Sequence, residues 1–247
     1  MKLIFRTILF IPFLIFFLIP SFSQERNVVN QGQYWFGYSL SKKINEEWSV
    51  KASTEDRRYF INNRNHMFYV QVDGTYKVNK RLSLTGGLMY FELNLPSDPH
   101  QKIVVKQPEY RPFQKISFNV YSGAIGSVLF SISMEERIRK KIENNEQQDF
   151  YNAYVRFRNK LQYKRQLSSP SATHPLSAYI YDEFMIHFGS TVKGSPFDQN
   201  RFSVGLEWKA SPHTTLRSGY LNWYQEIAGS TTVFERNIIT LSVAQSF

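Results

Sequence analysis

The chain has 247 residues, 42% of them hydrophobic, and 30 lysines and arginines against 20 acidic residues give a net charge of +10. It has no cysteine, which excludes disulfide scaffolds, zinc ribbons, thiol catalysis and a lipid-modified cysteine anchor. A 20% charged fraction argues against disorder, and only the 16% aromatic content departs from an ordinary soluble composition.

In chain order, Lys2 and Arg6 precede the apolar run Ile8 to Ile19, which breaks at Pro20 into Ser21-Phe22-Ser23-Gln24. This is the pattern of a secretory signal peptide over residues 1–23. Its apolar core falls short of the ~20 residues that a membrane-spanning helix needs. Cleavage is expected after Ser23, with residues 24–247 forming one barrel domain; an uncleaved anchor is the alternative.

Downstream, no stretch of apolar residues is long enough for a transmembrane helix, yet apolar and polar residues alternate with period two. Trp48, Val50 and Ala52 oppose Ser49, Lys51 and Ser53. Phe68, Val70 and Val72 oppose Tyr69, Gln71 and Asp73, and Leu82, Leu84 and Leu88 oppose Ser83, Thr85 and Met89. Val128, Phe130 and Ile132 oppose Leu129, Ser131 and Ser133. The pattern recurs around Ala153 to Leu161, Ala178 to Ile186, Phe202 to Trp208 and Ile239 to Phe247. Segments of about ten residues match tilted strands that cross the hydrocarbon layer.

Tight polar turns at Asn45-Glu46-Glu47, Asn79-Lys80-Arg81, Ser122 to Ser127 and Ser211-Pro212-His213, with a longer link from Leu167 to Pro175, would lie at one end. Longer links over Tyr59 to Asn65, Asn94 to Glu109, Lys141 to Asp149, Ser190 to Gln199 and Glu226 to Thr232 would lie at the other. Short periplasmic turns opposite long outer loops characterise outer-membrane barrels. Tyr34, Trp48, Tyr90, Tyr110, Tyr163, Trp208 and Tyr224 fall near strand ends, where aromatic rings favour the membrane interface.

The expectation is therefore an all-β chain forming a single antiparallel transmembrane β-barrel in the bacterial outer membrane, in contact with its lipid. Eleven segments can be placed, but bacterial single-chain barrels have even strand numbers. Twelve strands are expected, with Asn27 to Gln33 supplying a short first one; ten is the alternative. Phe247 ends an alternating strand with an aromatic residue, which resembles the C-terminal signal read by the barrel-assembly machinery.

On this parity the lumen holds Lys51, Glu55, Arg57, Arg137, Arg139, Arg156, Arg158, Lys160, Glu183, Arg201, Glu207, Lys209, Arg217 and Arg236. Rings of arginine and lysine select anions, so one reading is a narrow passive channel or transport component for small anionic solutes. The other is a plugged structural or accessory barrel that binds a protein or lipid partner, with Glu55, Glu183 and Glu207 paired to arginines across strands. Nucleic acid is not an expected partner, because the positive residues are spread through alternating strands. The run Glu135 to Lys141 reads as a strand end rising into an outer loop, where its cations could meet anionic head groups.

A lipid-modifying enzyme is the third possibility, and its candidate histidines are His66, His100, His174, His187 and His213. His187 lies near Asp182 and Ser190, but proximity in sequence does not make a nucleophile, base and acid. There is no G-x-S-x-G elbow. Neither a metal-ligand spacing nor a cofactor motif is present, so no catalytic residue, metal or cofactor is expected.

Gln33-Tyr34-Trp35-Phe36-Gly37-Tyr38, Tyr110-Arg111-Pro112-Phe113-Gln114, Tyr181-Asp182-Glu183-Phe184, Phe197-Asp198-Gln199-Asn200-Arg201 and Gly219-Tyr220-Leu221-Asn222-Trp223-Tyr224 resemble an uncharacterised family of exported β-barrels. That family is known only as a domain of unknown function and is typical of Bacteroidota-like Gram-negative bacteria. The resemblance covers nearly all of residues 24–247 and implies no catalytic residues. Within it, Asp198 is expected to pair with Arg201 or with another inward arginine.

Overall fold

A computed structural model describes residues 26–123, 126–169, 171–189, 194–227 and 229–247. The expected signal peptide lies outside the described residues, as does Ser190.

Eleven strands follow one another around a closed barrel. They are β1 (Asn27–Lys43), β2 (Trp48–Tyr59), β3 (Asn65–Lys77), β4 (Leu82–Leu95), β5 (Val105–Gly123), β6 (Gly126–Glu143), β7 (Glu146–Gln166), β8 (Leu176–Phe188), β9 (Phe197–Lys209), β10 (Thr214–Glu226) and β11 (Thr232–Ser246). Each sequential pair is antiparallel, and the barrel closes where β1 and β11 run parallel in unbroken register from Asn27↔Thr232 to Ser41↔Ser246. Parallel closure follows from the odd number, since an up-and-down meander of eleven strands brings its first and last strands together pointing the same way.

The count corrects the expected twelve strands and also the alternative of ten. Asn27 to Gln33 does not form a strand of its own. The segment runs straight into β1 and pairs with Thr232 to Ile238 in the same unbroken register as the rest of the strand. A second correction concerns the link expected over Lys141 to Asp149. There β6 and β7 continue as one long hairpin and turn only at Asn144-Asn145, whose φ angles of 50° and 64° suit a tight two-residue hairpin turn.

Period-two alternation sets the two faces. Phe36, Val50, Val72, Leu88, Ile116, Ile132, Leu161, Phe202, Leu206 and Leu241 are exposed on the outer wall. Their neighbours one residue along turn inward. Aromatic pairs mark both rims: Trp48 with Tyr76 at the short-turn end, and Tyr90 with Tyr110, Tyr110 with Tyr151, and Phe197 with Tyr224 at the opposite end. No described helix is long and apolar enough to cross a membrane.

Inside, Tyr179 lies across the register pair Gly205↔Gly219. A Cβ on Gly205 would stand 2.4 Å from the Tyr179 hydroxyl and 2.4 Å from the Ser218 carbonyl. The Gly205→Ala variant is expected to lose about 1–3 kcal/mol to overpacking, read as a lower midpoint of urea unfolding in detergent micelles. Unchanged stability would mean that the ring and backbone are free to separate.

Candidate functional site

Most charged residues expected in the lumen do point into the barrel, where they are joined by residues that the parity argument did not select. Glu109 and Arg111 on β5, Glu135 on β6 and Asp198 on β9 are all buried. Together with Glu183 they organise the loop-end half of the interior.

Glu109 is the hub. It accepts from Arg111 Nη2 at 2.7 Å, from Arg137 Nε at 2.5 Å and from Arg139 Nη2 at 2.7 Å. Glu135 receives Arg156 Nη2 at 2.5 Å, with Arg111 and Arg158 each at 3.3 Å. Asp198 takes Arg156 Nη1 at 3.1 Å and lies 3.7 Å from Arg137. Its partners are thus inward arginines of β6 and β7, while Arg201 turns to Glu183. Glu183 receives Arg158 Nε at 2.7 Å and faces Arg201 Nη1 at 3.7 Å. Each arginine couples two carboxylates or shares one, so β5 through β9 are tied into a single lattice. Charge-assisted bonds of this kind satisfy buried groups that would otherwise be very costly to keep out of water.

Two inward-facing residues, one of them in the lattice, lie off the simple alternation. The β8–β9 register shifts between Met185 and Ile186, so Asp198 is an extra residue whose side chain turns inward. The β2–β3 register shifts between Arg57 and Arg58, and there His66 turns inward to share a 3.2 Å hydrogen bond with Gln33 Nε2. Glu109 and Arg111 fall between Pro108 and Pro112, residues that argue against a strand in a sequence reading. Both prolines nevertheless sit on the outward parity of β5.

The run Glu135 to Lys141 divides between two surroundings. Glu135, Arg137 and Arg139 face the lattice, while Lys140 and Lys141 cover Tyr151 and Phe150 on the projecting hairpin. Towards the short-turn end the charges are more open. Lys51 reaches Asp73 at 3.4 Å, Lys160 lies over the Tyr181 ring at 3.6 Å, and Glu207 forms an ion pair with Arg217 at 2.8 Å and receives Lys164 at 3.1 Å. Lys209 is exposed at that rim. Glu55 pairs along its own strand with Arg57 at 2.7 Å.

The interior also carries apolar residues that an expected polar lumen would lack. Met67, Met89, Phe91, Leu93 and Phe113 form one buried cluster, and Trp35, Leu221, Trp223 and Ile238 form another. Arg111 stacks over Phe91 at 3.8 Å. Trp35 donates to Gln33 Oε1 at 3.0 Å and Trp223 to Gln199 Oε1 at 2.7 Å, so neither indole N–H is left dry.

Between the first cluster and the arginines lies a cavity of about 620 Å³, lined by Met67, Phe91, Arg137, Arg201, Trp223 and Arg236 among others. It faces the long-loop end. Residues 96–104 lean over that mouth: Gln31 Nε2 donates to the Ser97 carbonyl at 2.8 Å and Arg64 Nη2 to the Pro96 carbonyl at 2.5 Å. Within this loop, the His100 backbone N–H donates to Asp98 and so holds that carboxyl below its usual pKa.

His187 Nδ1 stands 3.9 Å from Asp198, and its Nε2 is buried without a partner. His100, His174 and His213 lie in links between strands, away from the lattice. No group of His, Asp and Glu residues able to hold a metal is found among the described residues. Phe247 follows β11 at the short-turn rim, donates its N–H to the Ser41 carbonyl at 3.0 Å and stacks on His213.

A closed antiparallel meander with an apolar outer wall and a charge-laced interior defines the class of protein. Residues 32–233 match the family described as "Protein of unknown function (DUF2490)", and the chain belongs to that family. No curated protein matches the sequence. Among solved structures, the siderophore receptor PirA from Pseudomonas aeruginosa is similar at 14% identity and a TM-score of 0.31, over 75% of this chain. The chain spans about a third of that receptor's length, the alignment covering 32% of it.

Proposed function

We propose that the protein is an outer-membrane barrel whose lumen is closed to solute flow and which presents a binding cavity at its loop end. The membrane part rests on the outer wall. Exposed Leu, Val, Ile and Phe side chains, with Tyr220 on β10, ring the barrel while most mid-strand charges turn inward, an arrangement that water penalises and lipid accepts. Closure leaves no unpaired strand edge in the hydrocarbon.

One observation favours a plugged barrel over a pore. A continuous bridge of side chains crosses the interior from Glu183 on β8 to Arg201 on β9, which lies 5.5 Å from the Trp35 ring on β1. Arg57 on β2 stacks on the other side of the bridge, 3.8 Å from Trp35 and 5.4 Å from Tyr69 on β3. Eleven strands also enclose a narrower interior than the 16 or more of porins, so one such bridge suffices to fill it.

Purified protein in planar bilayers is expected to show no steady current steps. Regular single-channel steps would overturn the closed-lumen reading. If such steps were anion-selective, with a preference lowered by Arg156→Glu, they would favour the channel reading instead. In cell fractionation the protein is expected to require detergent for extraction, and release by cell breakage in plain buffer would overturn the membrane reading.

A further inference from the structure

Three guanidinium groups in the cavity lie at or beyond the edge of the lattice. Arg57, Arg201 and Arg236 gather around the Trp35 and Trp223 pair, whose rings meet edge to face at 5.7 Å. Arg201 and Arg236 lie 4.6 Å and 4.3 Å from the Trp223 centroid, and Arg57 stacks on Trp35.

Their neutralisation is incomplete. Arg236, 1% exposed, has among the described residues only the amide oxygens of Gln31 and Gln225 as polar partners, at 2.7 Å and 2.8 Å. Arg201 meets Glu183 at a loose 3.7 Å, Glu183 is shared with Arg158, and the buried Arg201 Nε has no hydrogen-bond partner among the described residues. Only Arg57 has a close carboxylate of its own, in Glu55. Stacked rings offset part of the cost of buried cations, but clustered like charges with an unmade hydrogen bond call for an anion. The facing wall of the same cavity is the Met67, Met89, Phe91 and Leu93 cluster, apolar and built from adaptable thioether and aromatic side chains.

We infer that the loop-end cavity binds an organic anion with an apolar body, its carboxylate or phosphate head set among Arg57, Arg201 and Arg236 and its body against the Met67, Met89, Phe91 and Leu93 wall. The cavity's size lies within the range of small-molecule sites, which are largely apolar with a few convergent polar groups. This inference rests on the proposed loop-end binding cavity and supplies its ligand class.

The test is a fluorescence titration of the whole protein in nanodiscs of zwitterionic lipid, since Trp35 and Trp223 flank the head-group site. The probes are octyl phosphate and octanoate, with inorganic phosphate as head alone and octanol as body alone. Saturable quenching by the two amphiphiles, at least about tenfold tighter than by either fragment, is expected. Arg236→Gln and Arg57→Gln should each weaken octyl phosphate about tenfold or more, as loss of a charge-assisted hydrogen bond requires. Heat-modifiable gel mobility identifies folded variants, and Met89→Gln gives a further reading from the apolar wall, where octyl phosphate should weaken while inorganic phosphate does not.

No saturable response to either amphiphile, inorganic phosphate binding as tightly as octyl phosphate, or unchanged affinity in both folded arginine variants would each overturn the inference. Competition by phosphatidylglycerol added to the nanodiscs would support the site and place its ligand in the membrane. Undiminished binding beside that lipid would support the site and place its ligand in solution. The bilayer currents separate this inference from the one beneath it: a protein that binds and conducts overturns only the closed lumen, and one that is silent and does not bind overturns only the site.

Discussion

Glu109→Gln is expected to destabilise the barrel by about 3–5 kcal/mol, the scale for breaking a buried ion pair by removing one partner. Glu109 is fully buried and, among the described residues, is the only carboxylate within salt-bridge distance of Arg139. It is also the closest one to Arg111 and Arg137. An amide keeps the volume and one acceptor but leaves these guanidiniums facing one another without their shared negative charge. The contrast is Glu207→Gln, whose partners Lys164 and Arg217 are each 38% exposed. Water screens those charges, so the loss there should stay within about 1 kcal/mol. Urea-unfolding midpoints in lipid vesicles, followed by tryptophan fluorescence, compare the two variants. Equal midpoints would show that the lattice is not what holds the loop-end half together.

The second large effect lies on the outer wall. Val72 is 63% exposed at the middle of β3, opposite Ala52 and Leu88 in the two neighbouring registers. On the surface of a protein in water, Val72→Arg would change stability by no more than about 0.5 kcal/mol. At the middle of a bilayer the same change costs about 2–4 kcal/mol, because the guanidinium must leave water. The larger loss is expected, read from unfolding midpoints in vesicles, with Asn62→Arg in an exposed link as the variant that should change little. A Val72→Arg protein as stable as its parent would remove the physical basis for placing this wall in lipid.

Much of the architecture was legible along the chain because a strand reports its two faces in alternating residues. Val72 against Asp73 and Leu206 against Glu207 need no tertiary information to be set on opposite sides. Legibility failed where alternation was interrupted or disguised. The link expected over Asn94 to Glu109 hid the β5 start, and with it Glu109, since Pro108 argues against a strand. Met67, Phe91 and Leu93 are greasy residues facing inward, so a rule that sends apolar side chains to lipid misses most of the cavity wall, although alternation did set Met89 on the inward side. His66 and Asp198 sit at register shifts, where one extra residue reverses the side that alternation assigns, although the pairing of Asp198 with an inward arginine was expected. Asn144-Asn145 was the one missed feature with a local signal, since paired asparagines tolerate the left-handed backbone of a tight hairpin turn.

By itself the chain determined that its residues form strands, roughly where these lie, and which side chains of most strands share a face, since these depend on neighbours two residues apart. Only the tertiary structure decided that eleven strands close with β1 parallel to β11, and that Asp198 meets Arg156 and Arg137 and leaves Arg201 to Glu183. It alone decided that Arg57, Arg201 and Arg236 gather around two tryptophans. Those outcomes depend on how far the sheet curves and staggers before it meets itself, a property of all the strands together that no local pattern of residues records.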